Sequence, residues 1–221
     1  MTVRWRVPSF IVTLGMLEIA RGLSYMLTGS QTMYLAGALR ELARPVPDLP
    51  VPAAFVIALV LVVALQLILS RTVYGRHLIA VGTTEEAVRL AGIRPGGLKM
   101  SVFVISGALV GLGSLFYTAR LGSADPNAGV GLELSAIAAV VIGGTSLMGG
   151  RGSVVSTFLG VLIIATLDTG LAQVGASEPL KRVITGAVIV TAAVLDAWRS
   201  AGPGGVRALW RRMWQRPTQL P

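Results

Sequence analysis

DLPVPAAFVIALVLVVALQLILSR, residues 48–71, decides the fold class. Between Asp48 and Arg71 lie 22 residues without a charge, Leu49 to Ser70, with the unbroken apolar run Ala58–Leu65 inside. A helix needs about 20 predominantly apolar residues to cross the hydrocarbon core of a bilayer. This stretch is therefore a membrane span, and the chain must be read as a membrane protein outward from it. The next charge-free stretch, Met100 to Ala119 between Lys99 and Arg120, is 20 residues long and reads as a second secure crossing.

The composition agrees. Of the 221 residues, 53% are hydrophobic and 13% are charged, against about 25% charged in a soluble domain. That excludes a soluble globular domain, and the high hydrophobicity excludes a disordered chain. Net charge is +9 from 19 Lys+Arg and 10 Asp+Glu. The basic residues sit between apolar runs, which favours membrane topology over nucleic acid as their meaning. With no cysteine and only one histidine, His77, there is no disulfide framework, thiolate ligand or cysteine nucleophile. No nucleophile–base pair, paired carboxylates or metal-ligand spacing appears, so no catalytic residue, metal or cofactor is expected.

Four further runs complete an all-α polytopic bundle of about six segments. They are Val7 to about Thr28, Leu134–Gly150, Gly152 to about Gly175, and Val183–Trp198. The fourth in chain order, Leu134–Gly150, has only 17 residues and reads as broken or re-entrant. Arg4 and Arg6, loop 71–99 and the tail after Trp198 are basic, whereas 30–50 is charge-balanced and 120–133 is net negative. Six crossings put all three basic regions on one side, so both termini are expected in the cytoplasm. The division is a transmembrane domain over 1–198, carrying loop 71–99, and a basic cytoplasmic tail over 199–221. A secretory signal competes for the start, but Glu18 and Arg21 follow Val7–Leu17 where a small-residue cleavage site would stand.

Loop 71–99, RTVYGRHLIAVGTTEEAVRLAGIRPGGLK, is long for an idle connection. Thr83-Thr84-Glu85-Glu86 fits a capping box, with Thr83 on the amide three residues on and Glu86 reaching back. Both glutamates favour the positive end of a helix dipole, and Gly92 and Pro95 supply stop signals. The prediction is a short helix over 84–91 with Ala87, Leu90 and Ala91 on one face. A helix this short is marginal alone and needs a surface to lie against, whether a partner protein or the membrane.

The stretch LELSAIAAVVIGGTSLMGGRGS, residues 132–153, carries Gly143, Gly144, Gly149, Gly150 and Gly152. Each glycine weakens a helix by about 1 kcal/mol relative to alanine. Irregular backbone at membrane depth is tolerated where it is buried in protein or lines a cavity. Gly143, Gly144, Thr145, Gly149 and Gly150 are thus candidates for a translocation path, with close helix packing as the competing reading. Gly150 stands where a phosphate-loop lysine belongs, so there is no Walker motif. Gly107 and Gly111 form a GxxxG, read as packing within the chain. Among ionisable groups inside spans, Glu18 and Arg21 are three apart and can pair. Asp168 has no partner nearby in sequence, and an interfacial position is favoured for it.

On these residues the chain resembles the permease subunits of bacterial ABC sugar importers, in the branch that handles ribose, xylose and related monosaccharides. The likeness lies in Gly75-Arg76 through Gly82, Glu85-Glu86-Ala87, Arg89-Leu90 and Gly92-Ile93, and in Ala119–Ser123 through Glu133-Leu134 to Gly149-Gly150-Arg151-Gly152. A weaker echo is Pro8–Gly15 with Arg21-Gly22. The resemblance implies a translocation subunit of the inner membrane without catalytic residues of its own. It implies that Glu85, Glu86, Ala87, Arg89, Leu90 and Gly92 meet a cytoplasmic ATPase. It also implies a periplasmic or lipid-anchored sugar-binding protein, a second permease copy and surrounding lipid as partners, and no nucleic acid. Members of that family are longer, with helices before the Pro8-Ser9-Phe10 segment, so an N-terminal part is expected to be lacking, and Asp168 stands where asparagine is expected. The alternatives are a channel or secondary transporter needing no ATPase, or a truncated fragment that does not transport.

Overall fold

A computed structural model describes residues 9–35, 51–146, 149–177, 179–192 and 194. The basic N-terminal residues, most of the 30–50 segment, Leu147 and Met148, the end of the Val183–Trp198 run and the tail lie outside them. The described chain is almost wholly helical and falls into two compact units, residues 1–130 and 131–221.

In the first unit α1 runs Ser9–Thr28, α2 Ala53–Arg71, α3 Val73–Thr83, α4 Glu85–Leu90 and α5 Pro95–Leu121. The last is 27 residues, about 40 Å at 1.5 Å per residue. It starts on Pro95, where a missing N–H costs nothing, and stops at Gly122. α2 packs on α3, α3 on α4, and both α3 and α4 touch α5. The all-α expectation needs one amendment. Met33–Tyr34 (β1) pairs antiparallel with Ser123–Ala124 (β2), joining the C-terminal ends of α1 and α5.

In the second unit α6 covers Leu132–Ile142 and α7 Val154–Gln173, and residues 179–192 are helical. Its core is Ala138, Ala139 and Ile164, with Ile142, Val188 and Ile189 against them. The packing is close because two glycines let backbones touch. A Cβ on Gly160 would fall on the Ala139 carbonyl oxygen, and one on Gly143 would lie 2.5 Å from the Ser156 carbonyl oxygen.

Among the described residues, α1, α2, α5 and α7 are long and apolar enough to cross a membrane. Their apolar side chains are largely exposed, among them Leu59, Val60, Phe103 and Ile163. A soluble fold would bury such residues, whereas lipid accepts them. At 11 residues, about 17 Å, α6 cannot cross alone, in keeping with the expectation of a broken fourth segment. The GxxxG expectation is corrected. A Cβ on Gly107 or Gly111 would meet nothing within 4 Å, so this pair makes no tight contact among the described residues.

Candidate functional site

The best-defined candidate is the connection between α2 and α5. Thr72 turns the chain from one helix into the next. Its hydroxyl donates to the Ile68 carbonyl oxygen and accepts from the Gly75 amide at 3.2 Å. Gly75 is buried in the bend, and a Cβ there would strike the Leu69 carbonyl. On α3, Tyr74 Oη lies 2.7 Å from Ser101 Oγ on α5. The Ser101 hydroxyl hydrogen goes to the Leu98 carbonyl, so Tyr74 is the donor.

Helix α4 exists, at Glu85–Leu90, but its start differs from the capping-box expectation. Thr83 belongs to α3 and its hydroxyl donates to the Ile79 carbonyl at 3.0 Å. Thr84 occupies the N-cap with no side-chain cap bond. Glu86 pairs instead with Arg89 on the same helix, at 2.5 Å. Because α3 continues helically to Thr83, its side chain is consumed by the preceding turn, as serine and threonine hydroxyls are inside helices. Glu85 reaches a residue no local pattern links to it, Lys99 on α5, at 2.6 Å.

The stop signal behaves as read. Gly92 has φ +80, Ile93 donates to the Val88 carbonyl, and Gly92 to that of Arg89, which together make a Schellman end. The apolar face is corrected. Val88 is the residue packed inward, at 6% exposure, while Leu90 stands out at 80%, and Ala87 and Ala91 are also exposed. The result is a one-and-a-half-turn helix that presents Leu90 outward, flanked by an internal carboxylate–guanidinium pair.

The glycine-rich stretch divides. Gly143 serves contact between α6 and α7, while Gly144, Gly149 and Gly150 take positive φ, which glycine adopts without penalty. Thr145 Oγ1 lies 3.1 Å from Thr157 Oγ1 on α7, and the Ser146 amide donates to the Arg151 carbonyl. The loop is a folded-back connection that delivers Ser153 to the N-cap of α7, where its hydroxyl accepts from the Ser156 amide. Gly160, which the motif reading passed over, is the tightest point of that contact. A signal was there, because Ser156 and Gly160 have the small-xxx-small spacing of close membrane-helix contacts. The charged residues of the spans also find partners. Arg21 Nη1 lies 3.3 Å from Glu18 Oε1. The half-buried Asp168 has Thr185 Oγ1, from the following helix, 3.5 Å away, a long bond that sequence spacing did not foreshadow. Among the described residues no group of acidic or histidine side chains could hold a metal.

The comparisons fit this architecture. The chain is 40% identical over 205 residues to the ribose import permease protein of Bacillus subtilis, covering 89% of this chain and 62% of that protein. It is 37% identical to the ribose import permease protein of Escherichia coli K12, covering 86% and 61%. It is 32% identical to a fructose import permease protein of Rhizobium meliloti, covering 90% and 57%. The chain thus spans 57–62% of the length of these relatives. No solved structure matches it. A profile described as a branched-chain amino acid transport system/permease component matches residues 1–193. With its apolar spans and this match over most of its length, the chain is a multi-pass inner-membrane protein that belongs to that permease family.

Proposed function

We propose that the chain is the membrane-spanning subunit of an ATP-driven importer of monosaccharides of the ribose or xylose type. The observation that carries this is identity of 32–40% to ribose and fructose import permeases over 86–90% of the chain. ATP is bound and hydrolysed on a partner chain at the cytoplasmic face. A periplasmic or lipid-anchored sugar-binding protein delivers solute, and a second permease copy completes the path through the lipid bilayer.

In this reading α4 is the coupling helix. Its geometry supports the role, because Leu90 is an exposed apolar side chain on a helix otherwise tied down. Exposed large apolar groups beside polar ones suit a protein contact. Glu86, Arg89, Ala87 and Gly92 shape that surface, and Gly143, Gly144, Thr145, Gly149 and Gly150 border the path where α6 breaks. Six crossings with both ends cytoplasmic place α4 on the ATPase side.

The test is co-purification in detergent with a cytoplasmic ATPase subunit of a monosaccharide importer. The unmodified chain retains it, while Leu90→Asp and Glu86→Lys each reduce recovery at least about tenfold, the cost of losing a central contact of 1.4 kcal/mol or more. Full recovery with both variants overturns the coupling role of α4.

A further inference from the structure

The coupling segment and the outer ribbon, at opposite ends of α5, share one feature. Each is fixed to α5 by contacts between residues distant in sequence. At the inner end, Glu85 of α4 is held by Lys99, and Tyr74 of α3 by Ser101. At the outer end, β2 follows α5 after the single residue Gly122 and pairs with β1, Tyr34 opposite Ser123 and Met33 opposite Ala124. The Leu35 amide extends the ladder to the Gly122 carbonyl at 3.0 Å. Beside it, Tyr25 Oη on α1 donates to Asn127 Oδ1 at 2.7 Å. Asn127 is in turn set by its own amide donating to Asp125 Oδ1. Between the two ends α5 is unbroken over 27 residues.

We propose that α5 is a strut. Glu85 and Lys99 are positioning residues that seat α4 on its inner end, and the β1–β2 ribbon with Tyr25 and Asn127 locks its outer end to α1. A displacement of α4 then reaches the far side of the membrane through one continuous helix, and α1 moves with it. This rests on the reading of α4 as the ATPase contact, and it reassigns Glu85 from that contact to an internal joint.

Two measurements on the full chain test the joints, the exchange and disulfide closure in lipid nanodiscs without any partner and the uptake readout in a reconstituted importer. Amide hydrogen exchange over residues 85–93 reads the seating of α4. Glu85→Lys and Lys99→Glu each speed exchange about three- to fivefold, the scale of an exposed ion pair, and the double charge swap slows it again below the faster single variant, with the lysine at the N-terminus of α4 keeping a residual cost. Unchanged single variants, or a double variant no slower than the faster single one, overturn the inner joint. Tyr34→Cys with Ser123→Cys places the chain's only two thiols on the rung between two hydrogen-bonded ones, where Cα atoms are about 4.5 Å apart and a disulfide can close. It forms on oxidation, and the oxidised protein in a reconstituted importer keeps uptake within about twofold. Failure to close, or uptake lost on oxidation and regained on reduction, overturns the outer joint. If the parent chain supports no uptake, the proposed transport activity of this chain fails, while exchange and disulfide closure still judge the strut.

Discussion

The α3–α5 region and the α6–α7 pair are held together by opposite means. Around α4 the joints are polar and open to water. Glu85 and Lys99 are 51% and 42% exposed, and Glu86 with Arg89 more so, so each ion pair contributes less than about 1 kcal/mol. Between α6 and α7 the joint is backbone against backbone, with Gly160 on the Ala139 carbonyl and Gly143 beside Ser156. In a bilayer the apolar surface of a helix gains nothing by leaving lipid, so close van der Waals contact through small residues carries association. The first region is thus joined by weak polar contacts and the second by close backbone contact.

The comparison breaks most sharply at Gly160. Gly160→Leu forces a side chain into the Ala139 carbonyl, where no flexible atom can give way. The expected loss is about 3 kcal/mol or more, at the upper end for overpacking, seen as a fall in detergent thermal-unfolding temperature and in monodisperse yield. Gly107→Leu is the matched control. Its Cβ points into open space, and unfolding is unchanged or shifts slightly upward as a helix-weakening glycine is lost. Equal effects of the two would erase the distinction between packed and unpacked glycines.

That pair also shows what was legible in the sequence. Gly107 and Gly111 have the full GxxxG spacing and Gly160 only the looser Ser156-to-Gly160 form of it, yet Gly160 makes the contact. Periodicity describes one helix, and the partner surface decides which glycine is buried. Spans were legible because charge-free length is a one-dimensional property, and so α2, Ala53–Arg71, covers Leu49–Ser70 from Ala53 onward and α5 contains Met100–Ala119. The break after Ile142 was legible from five glycines in ten residues. Links across distance were not. Glu85–Lys99, Tyr25–Asn127 and Thr185–Asp168 join residues 14, 102 and 17 apart, and no local rule pairs them. Among the site residues, Gly92 was read correctly because a left-handed stop is local. Leu90 and Val88 exchanged roles because the inward face of α4 is set by α3 and α5.

A smaller effect sharpens the polar side of the comparison. Gly92→Val puts a β-branched side chain at φ +80, which costs about 1–2 kcal/mol for an L residue. The strain falls on the end of α4 alone, since a Cβ there meets nothing within 4 Å. Global unfolding is therefore little changed, while hydrogen exchange at Ala91, Gly92 and Ile93 rises about tenfold. A large drop in global stability would mean that α4 belongs to the rigid part of the unit.

The smallest effect separates two accounts of where α4 begins. If Thr83 capped α4, Thr83→Ala would cost about 1 kcal/mol and loosen the first turn. With its hydroxyl on the Ile79 carbonyl, the side chain serves the last turn of α3, where such a back-bond adds little and alanine is the better helix former. Thr83→Ala is therefore expected to leave stability within about 0.5 kcal/mol and the exchange of Val88, whose amide bonds the Thr84 carbonyl, unaltered. Thr84→Gly, by contrast, loosens the hinge between α3 and α4 and speeds that same amide, because the extended backbone at this N-cap is all that separates the two helices. Faster exchange in Thr83→Ala alone would restore the capping box and move the start of α4 back by one residue.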